Sequence, residues 1–233
     1  MKLKLFFQLF LSFIFFTIIG TLTHECGHYV AGKIVGIKSS VHYSYTAIEN
    51  YPMNDTINNI YNKHNFQIDN KKEFPLKKKF ENLVKQSKTK DFYFTVGGPL
   101  ETIITGTLGL LLLIFYRKNF FTSNKLNSRQ WLLIFLSLFW LRELANCVVM
   151  GFMLLFTNKR TFNSDEVKIA EYLGWHFTSV TIITAFVALI IGLIVTFKFV
   201  PAAQRKTFIA TGLAGGVTGY ILWLYILGPL ILP

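Results

Sequence analysis

Gly20-Thr21-Leu22-Thr23-His24-Glu25-Cys26-Gly27-His28-Tyr29 follows an almost unbroken apolar run from Leu5 to Ile19. If run and stretch form one helix, His24 and His28 lie four residues apart on one face. Glu25 then projects about 100° round from His24, beside the same patch. Two imidazoles at that spacing can hold one divalent cation, and zinc is the usual occupant. A carboxylate beside them has the place of a general base that takes a proton from metal-activated water. The pattern is short and recurs by chance in unrelated proteins. Its setting gives it weight, because two histidines and a glutamate in an apolar span cost free energy unless they are paired, bind something or face a water-filled cavity. Metal binding accounts for all three at once.

Around this stretch the chain is lipid-like in composition. Charged residues make up 15% of the 233, against roughly a quarter in soluble domains. Apolar runs at about 4–32, 95–115, 131–156, 177–197 and 208–230 are long enough to cross a bilayer. The expected fold is an all-α, multi-pass membrane protein with about five transmembrane helices, forming one domain over 1–233. The net charge of +12 does not indicate nucleic acid. The basic residues lie in loops between the apolar runs, where they set topology and meet anionic headgroups of the lipid bilayer. Cys26 and Cys147 fall inside apolar runs and make no disulfide framework. Met1-Lys2-Leu3-Lys4 and the run behind it resemble a signal peptide, but the run exceeds a usual h-region and no small-x-small site precedes His24; a retained span is expected.

The polar loop 37–94 contains two segments of expected structure. Ile37, Val41, Tyr43 and Tyr45 suggest a strand over 37–46. Residues 47–73 are rich in Asn, Asp, Lys and Tyr and read as irregular, with His42 and His64 as solvated histidines. Over 74–94 lysine clusters alternate with apolar residues, and Phe80, Leu83 and Val84 fit helical spacing, predicting a basic amphipathic helix on the headgroups. The second span opens with Gly97-Gly98-Pro99-Leu100, where proline suits a first helical turn and paired glycines let another backbone approach. Gly36 marks the end of the first helix, and Ser164 or Asn163 caps a short amphipathic helix in the connector 157–175. In the fifth span Gly212/Gly216 and Gly215/Gly219 are spaced for tight helix packing.

A catalytic zinc usually takes three protein ligands. If the chain crosses once per span, Asp165 in the connector lies on the same side of the membrane as the His24–His28 end of the first helix. By depth, Glu143 and Glu101 stand as alternatives, and their structural readings are an ion pair with Arg142 or a helix–helix hydrogen bond through Asn146. His176 is a weaker candidate.

Together these residues resemble the site-2 protease family of intramembrane zinc metallopeptidases. His24-Glu-Cys-Gly-His-Tyr-Val-Ala-Gly-Lys-Ile-Val-Gly-Ile37 is similar to that family's HExGH helix and the sequence after it, and Gly97-Gly-Pro-Leu100 to its following core helix. The resemblance covers about a third of the chain. It implies His24 and His28 as zinc ligands, Glu25 as catalytic base and Asp165, in Phe162-Asn-Ser-Asp-Glu166, as third ligand. Around Asp165 the family's proline and glycine are missing, and Thr102 stands where it has asparagine. The implied activity is hydrolysis of a membrane-protein or peptide substrate. Asn146 is read, apart from the resemblance, as an aid to the oxyanion. The expected location is a bacterial cytoplasmic membrane. In the family the motif end faces the cytosol, but the basic residues flanking the spans number nine on the opposite side and eight on the motif side, a tie under the positive-inside rule. Two other readings remain: a non-catalytic relative that binds zinc or a membrane partner, and an ion path lined by Glu101, Arg142 and Glu143. Oligomeric state is not legible.

Overall fold

The computed structural model describes residues 3–121, 126–157 and 162–233; Met1 and Lys2 of the signal-like start and some of the basic residues counted beside the spans lie outside them. Its elements run α1 (Leu3–Val35), β1 (Lys38–Val41), β2 (Thr46–Asn50), α2 (Pro52–Asp69), α3 (Lys77–Phe115), α4 (Arg117–Phe121), α5 (Ser128–Ser137), α6 (Leu141–Phe156), α7 (Asp165–Tyr172), α8 (Ser179–Ile194), α9 (Ala202–Ile221) and α10 (Gly228–Ile231). Among the described residues, five helical rods are long and apolar enough to cross a membrane: α1, α3, α5–α6, α8 with the turn to Phe199, and α9–α10. The protein is an all-α polytopic membrane protein with a small β-hairpin.

α1 stops where glycine permits. Gly36 has a positive φ of 75°, and Ile37 N–H and Gly36 N–H reach back to the carbonyls of Gly32 and Lys33, a Schellman closure that satisfies two terminal acceptors. The chain then turns into β1 and β2, which pair antiparallel with Val41 opposite Thr46. The expected single strand over 37–46 is therefore a shorter strand and a turn. His42 N–H closes the turn on Tyr45 O, and the His42 ring stacks on Tyr45.

Two further expectations are corrected in this loop. Residues 52–69, read as irregular, form α2. Ile57, Ile60, Tyr61 and His64 recur at helical spacing and Pro52 occupies the first turn, but the intervening Asn and Asp masked that period. The basic segment 74–94 is helical, yet it is the N-terminal part of α3, which continues through Gly97-Gly98-Pro99 to Phe115. At 39 residues this helix is about 58 Å long, so it projects well beyond a hydrocarbon core of about 30 Å. Pro99 lies inside the helix and not in its first turn. It forfeits one backbone bond, a loss that neighbouring helices commonly offset in membrane proteins.

The third span is broken by a single 3-10 turn at Leu138–Trp140. α3 accommodates it through Gly106 and Gly109, whose faces meet Trp140 and the Leu136–Ser137 backbone. α1 is the central rod and packs along α3 and α9. Gly215 and Gly219 bring α9 against Phe10, Phe13, Ile14 and Thr17 of α1, whereas Gly216 meets nothing. Only one of the two glycine spacings is thus a contact along its length. The apolar core gathers Leu9, Leu113, Ile134, Phe135, Val195 and Phe208 near the N-terminal end of α1. The other half of the bundle holds the buried ionisable groups His24, Glu25, His28, Glu143 and Glu166.

Candidate metal centre

His24, Glu25 and His28 lie in the C-terminal third of α1 and are buried, at 1%, 3% and 5% exposed. The two imidazoles are 5.0 Å apart between ring centres. Their Nε2 atoms converge on one oxygen, Asp165 Oδ2, at 3.2 Å from His24 and 3.1 Å from His28. Ligand atoms of the three side chains lie within 4.8 Å of one another, the one such group among the described residues. Asp165 is the first residue of α7, fixed by Ser164, whose Oγ accepts from Val167 N–H. The connector dips into the bundle far enough to bring Asp165 level with the histidines.

The far side of each ring sets its tautomer. His28 Nδ1 lies 2.8 Å from Phe94 O, which can only accept, so the hydrogen resides on Nδ1. His24 Nδ1 lies 3.0 Å from Thr102 Oγ1. That hydroxyl spends its own hydrogen on Gly98 O, so it accepts from His24. In the neutral rings both Nε2 lone pairs consequently face a carboxylate oxygen. Three acceptor atoms aimed at one point repel unless a cation stands among them. The space for it is kept by Gly98, where a Cβ would collide with Nε2 of His28 and lie 2.6 Å from Nε2 of His24. Gly27 and Gly97 meet face to face one turn away, which draws α1 and α3 together at this level.

Glu25 is not one of the three converging ligands and sits in a polar niche of its own. Thr46 Oγ1, from β2, is 3.1 Å from Glu25 Oε2 and 2.9 Å from the Glu25 carbonyl. Arg142 Nη2 approaches Glu25 Oε1 at 4.0 Å. Neither contact is legible in sequence, since both join segments remote in the chain. The same holds for Thr102 and for Phe94 O.

The remaining candidates are placed elsewhere. Glu101 accepts from Thr105, and Glu143, fully buried at the α6–α8 contact, is not among the converging atoms. Asn146 Nδ2 donates to Glu166 Oε1 at 2.8 Å; it ties α6 to the residue after Asp165. His176 is exposed and turned to Thr178. His64 stacks on Phe74 at the kink in α2. Cys26 and Cys147 are free thiols, Cys26 on the exposed face of α1. Compared with known protein families, curated proteins and solved structures, the chain gives no match.

Proposed function

We propose that this protein is a membrane-embedded zinc metallopeptidase. The observation that carries the reading is the convergence of two neutral-ring Nε2 atoms and one carboxylate oxygen on a single point beside a buried glutamate. Two imidazoles and a carboxylate with room for a further ligand form the donor set of hydrolytic zinc sites. The outward hydrogen bonds of both rings, to Phe94 O and Thr102, are the supports that such ligands need to keep their tautomer and orientation. When bound, zinc supplies Lewis acidity that polarises a peptide carbonyl and acidifies a water.

The chain's own groups do the rest. Glu25, oriented by Thr46, takes the proton as water attacks the carbonyl, and returns it to the leaving amine. Helical peptide bonds are shielded by their own hydrogen bonds, so a membrane-spanning substrate must unwind locally. The β1–β2 hairpin beside Glu25 offers a strand edge on which an extended segment can pair. Because His24, His28 and Asp165 hold the metal and Glu25 does not, Glu25→Gln should abolish cleavage of a transmembrane test substrate while leaving about one zinc per chain. His24→Ala and Asp165→Ala should lose both. Cleavage by Glu25→Gln at the wild-type rate would sink the reading.

A further inference from the structure

Arg142 opens α6, directly after the 3-10 turn that breaks the third span, and its side chain is only 18% exposed. A buried guanidinium ordinarily spends its five N–H donors on carboxylates or carbonyl oxygens. Here none is hydrogen-bonded among the described residues. Nε is out of solvent without a partner, and the approach of Nη2 to Glu25, at 4.0 Å, is beyond hydrogen-bond length. A cation whose Nε donor has no partner thus stands with its Nη2 4.0 Å from the base.

We propose that Arg142 is a catalytic residue that donates to the oxygen of the attacked peptide carbonyl; this rests on the peptidase reading above. The charge movement supports that occupant. As the water oxygen bonds to the carbonyl carbon, the water O–H breaks and its proton goes to Glu25. The C=O π pair moves to the carbonyl oxygen, which becomes an oxyanion. Negative charge thereby leaves Glu25 and appears on the substrate in the same step. Arg142 lies beside one anion before the step and beside another after it, and protonation of Glu25 loosens its first attachment as the second forms. A substrate carboxylate held at this point would instead face the charge of Glu25 in the ground state. Asn146, the sequence candidate for this task, already gives an amide hydrogen to Glu166.

The test combines turnover with binding of a phosphinate peptide, whose tetrahedral anion imitates the oxyanion, and of a hydroxamate peptide. Both are measured on zinc-loaded wild type, Arg142→Gln, Arg142→Lys and Glu25→Gln. Loss of an oxyanion donor lowers kcat by about 10²–10³-fold, so Arg142→Gln should fall in that range with KM nearly unchanged. Its phosphinate affinity should drop in parallel while hydroxamate affinity and zinc content persist. Arg142→Lys keeps the charge that folding sees but loses the planar fork; it should recover only part of kcat, whereas lysine would fully replace a purely structural counter-ion. Equal phosphinate affinity in all Arg142 variants, or a rise in KM at constant kcat, overturns the proposal alone, provided Glu25→Gln is inert. If Arg142→Gln fails to retain zinc, Arg142→Lys decides by the same readouts. If wild type and Glu25→Gln are equally without turnover, the peptidase reading falls and takes this one with it.

Discussion

A methyl group at position 98 has nowhere to go. It would stand among the nitrogen atoms of His24 and His28, in the volume that a cation needs. Gly98→Ala is therefore expected to separate stability from metal binding. Alanine favours a helix interior over glycine by up to about 1 kcal/mol, so the thermal midpoint should hold while zinc affinity falls at least about tenfold, as for losses in a metal site's supporting shell. Isothermal titration of zinc into the apo protein, beside a melting curve, checks both halves; unchanged affinity would mean that the rings do not converge there. At this scale the histidines and Glu25 were legible because their spacing is local: four residues on a helix define a shared face without any tertiary information. Thr102, Thr46 and Arg142 were not, because each meets the site across more than twenty residues of chain. Thr102 had been noted only as a departure from a familial asparagine, and its hydroxyl proves to be the acceptor that orients His24.

At the scale of elements, α7 has to be held at the depth of the histidines although its sequence is short and polar. Three contacts do so: the bond from Asn146 to Glu166, burial of Val167 and Ala170, and stacking of Tyr172 on Phe92 at 4.1 Å. Asn146→Ala leaves Glu166, 1% exposed, without its donor. Stranding a buried acceptor costs about 1–3 kcal/mol, which α7 can relieve by swinging outward and taking Asp165 with it. The expected outcome is weaker zinc binding, with cleavage recovered at saturating zinc. A direct role of Asn146 on the oxyanion would give the opposite pattern, with normal zinc affinity and a kcat that zinc does not restore. The connector's side of the membrane could be read from counting spans, since an even number of crossings returns the chain to the histidine end. Its depth could not, because that is set by side chains of α3 and α6. The continuity of α3 was hidden for a related reason: Gly97-Gly98-Pro99 is a helix opening by local rules, whereas the rod runs through it and packs closely on α1 at Gly27.

Across the whole molecule, the four spans that follow the hairpin, an even number, bring the end of α10 back to its side. Tyr43 N–H donates to Leu232 O at 3.0 Å, Trp223 Nε1 donates to Tyr43 O at 2.7 Å, and His42 Nδ1 meets Pro233 O. The turn between β1 and β2 is thereby clamped by the fifth span, and Thr46 follows directly on it, touching the base. The bundle thus links its fifth span to the orientation of Glu25 through the hairpin 38–50. Removing residues 228–233 deletes the Leu232 and Pro233 acceptors but leaves the zinc ligands untouched. With two hydrogen bonds lost at about 1 kcal/mol each, opening of the 42–46 turn should become on the order of thirtyfold more frequent, and limited proteolysis there should accelerate in proportion. Zinc stoichiometry should stay at the full-length value while cleavage of the test substrate slows, because Glu25 loses the hydroxyl that aims it and an extended substrate loses a fixed strand edge. Full activity in the shortened chain, with the turn demonstrably open to protease, would show that the hairpin takes no part in placing the base.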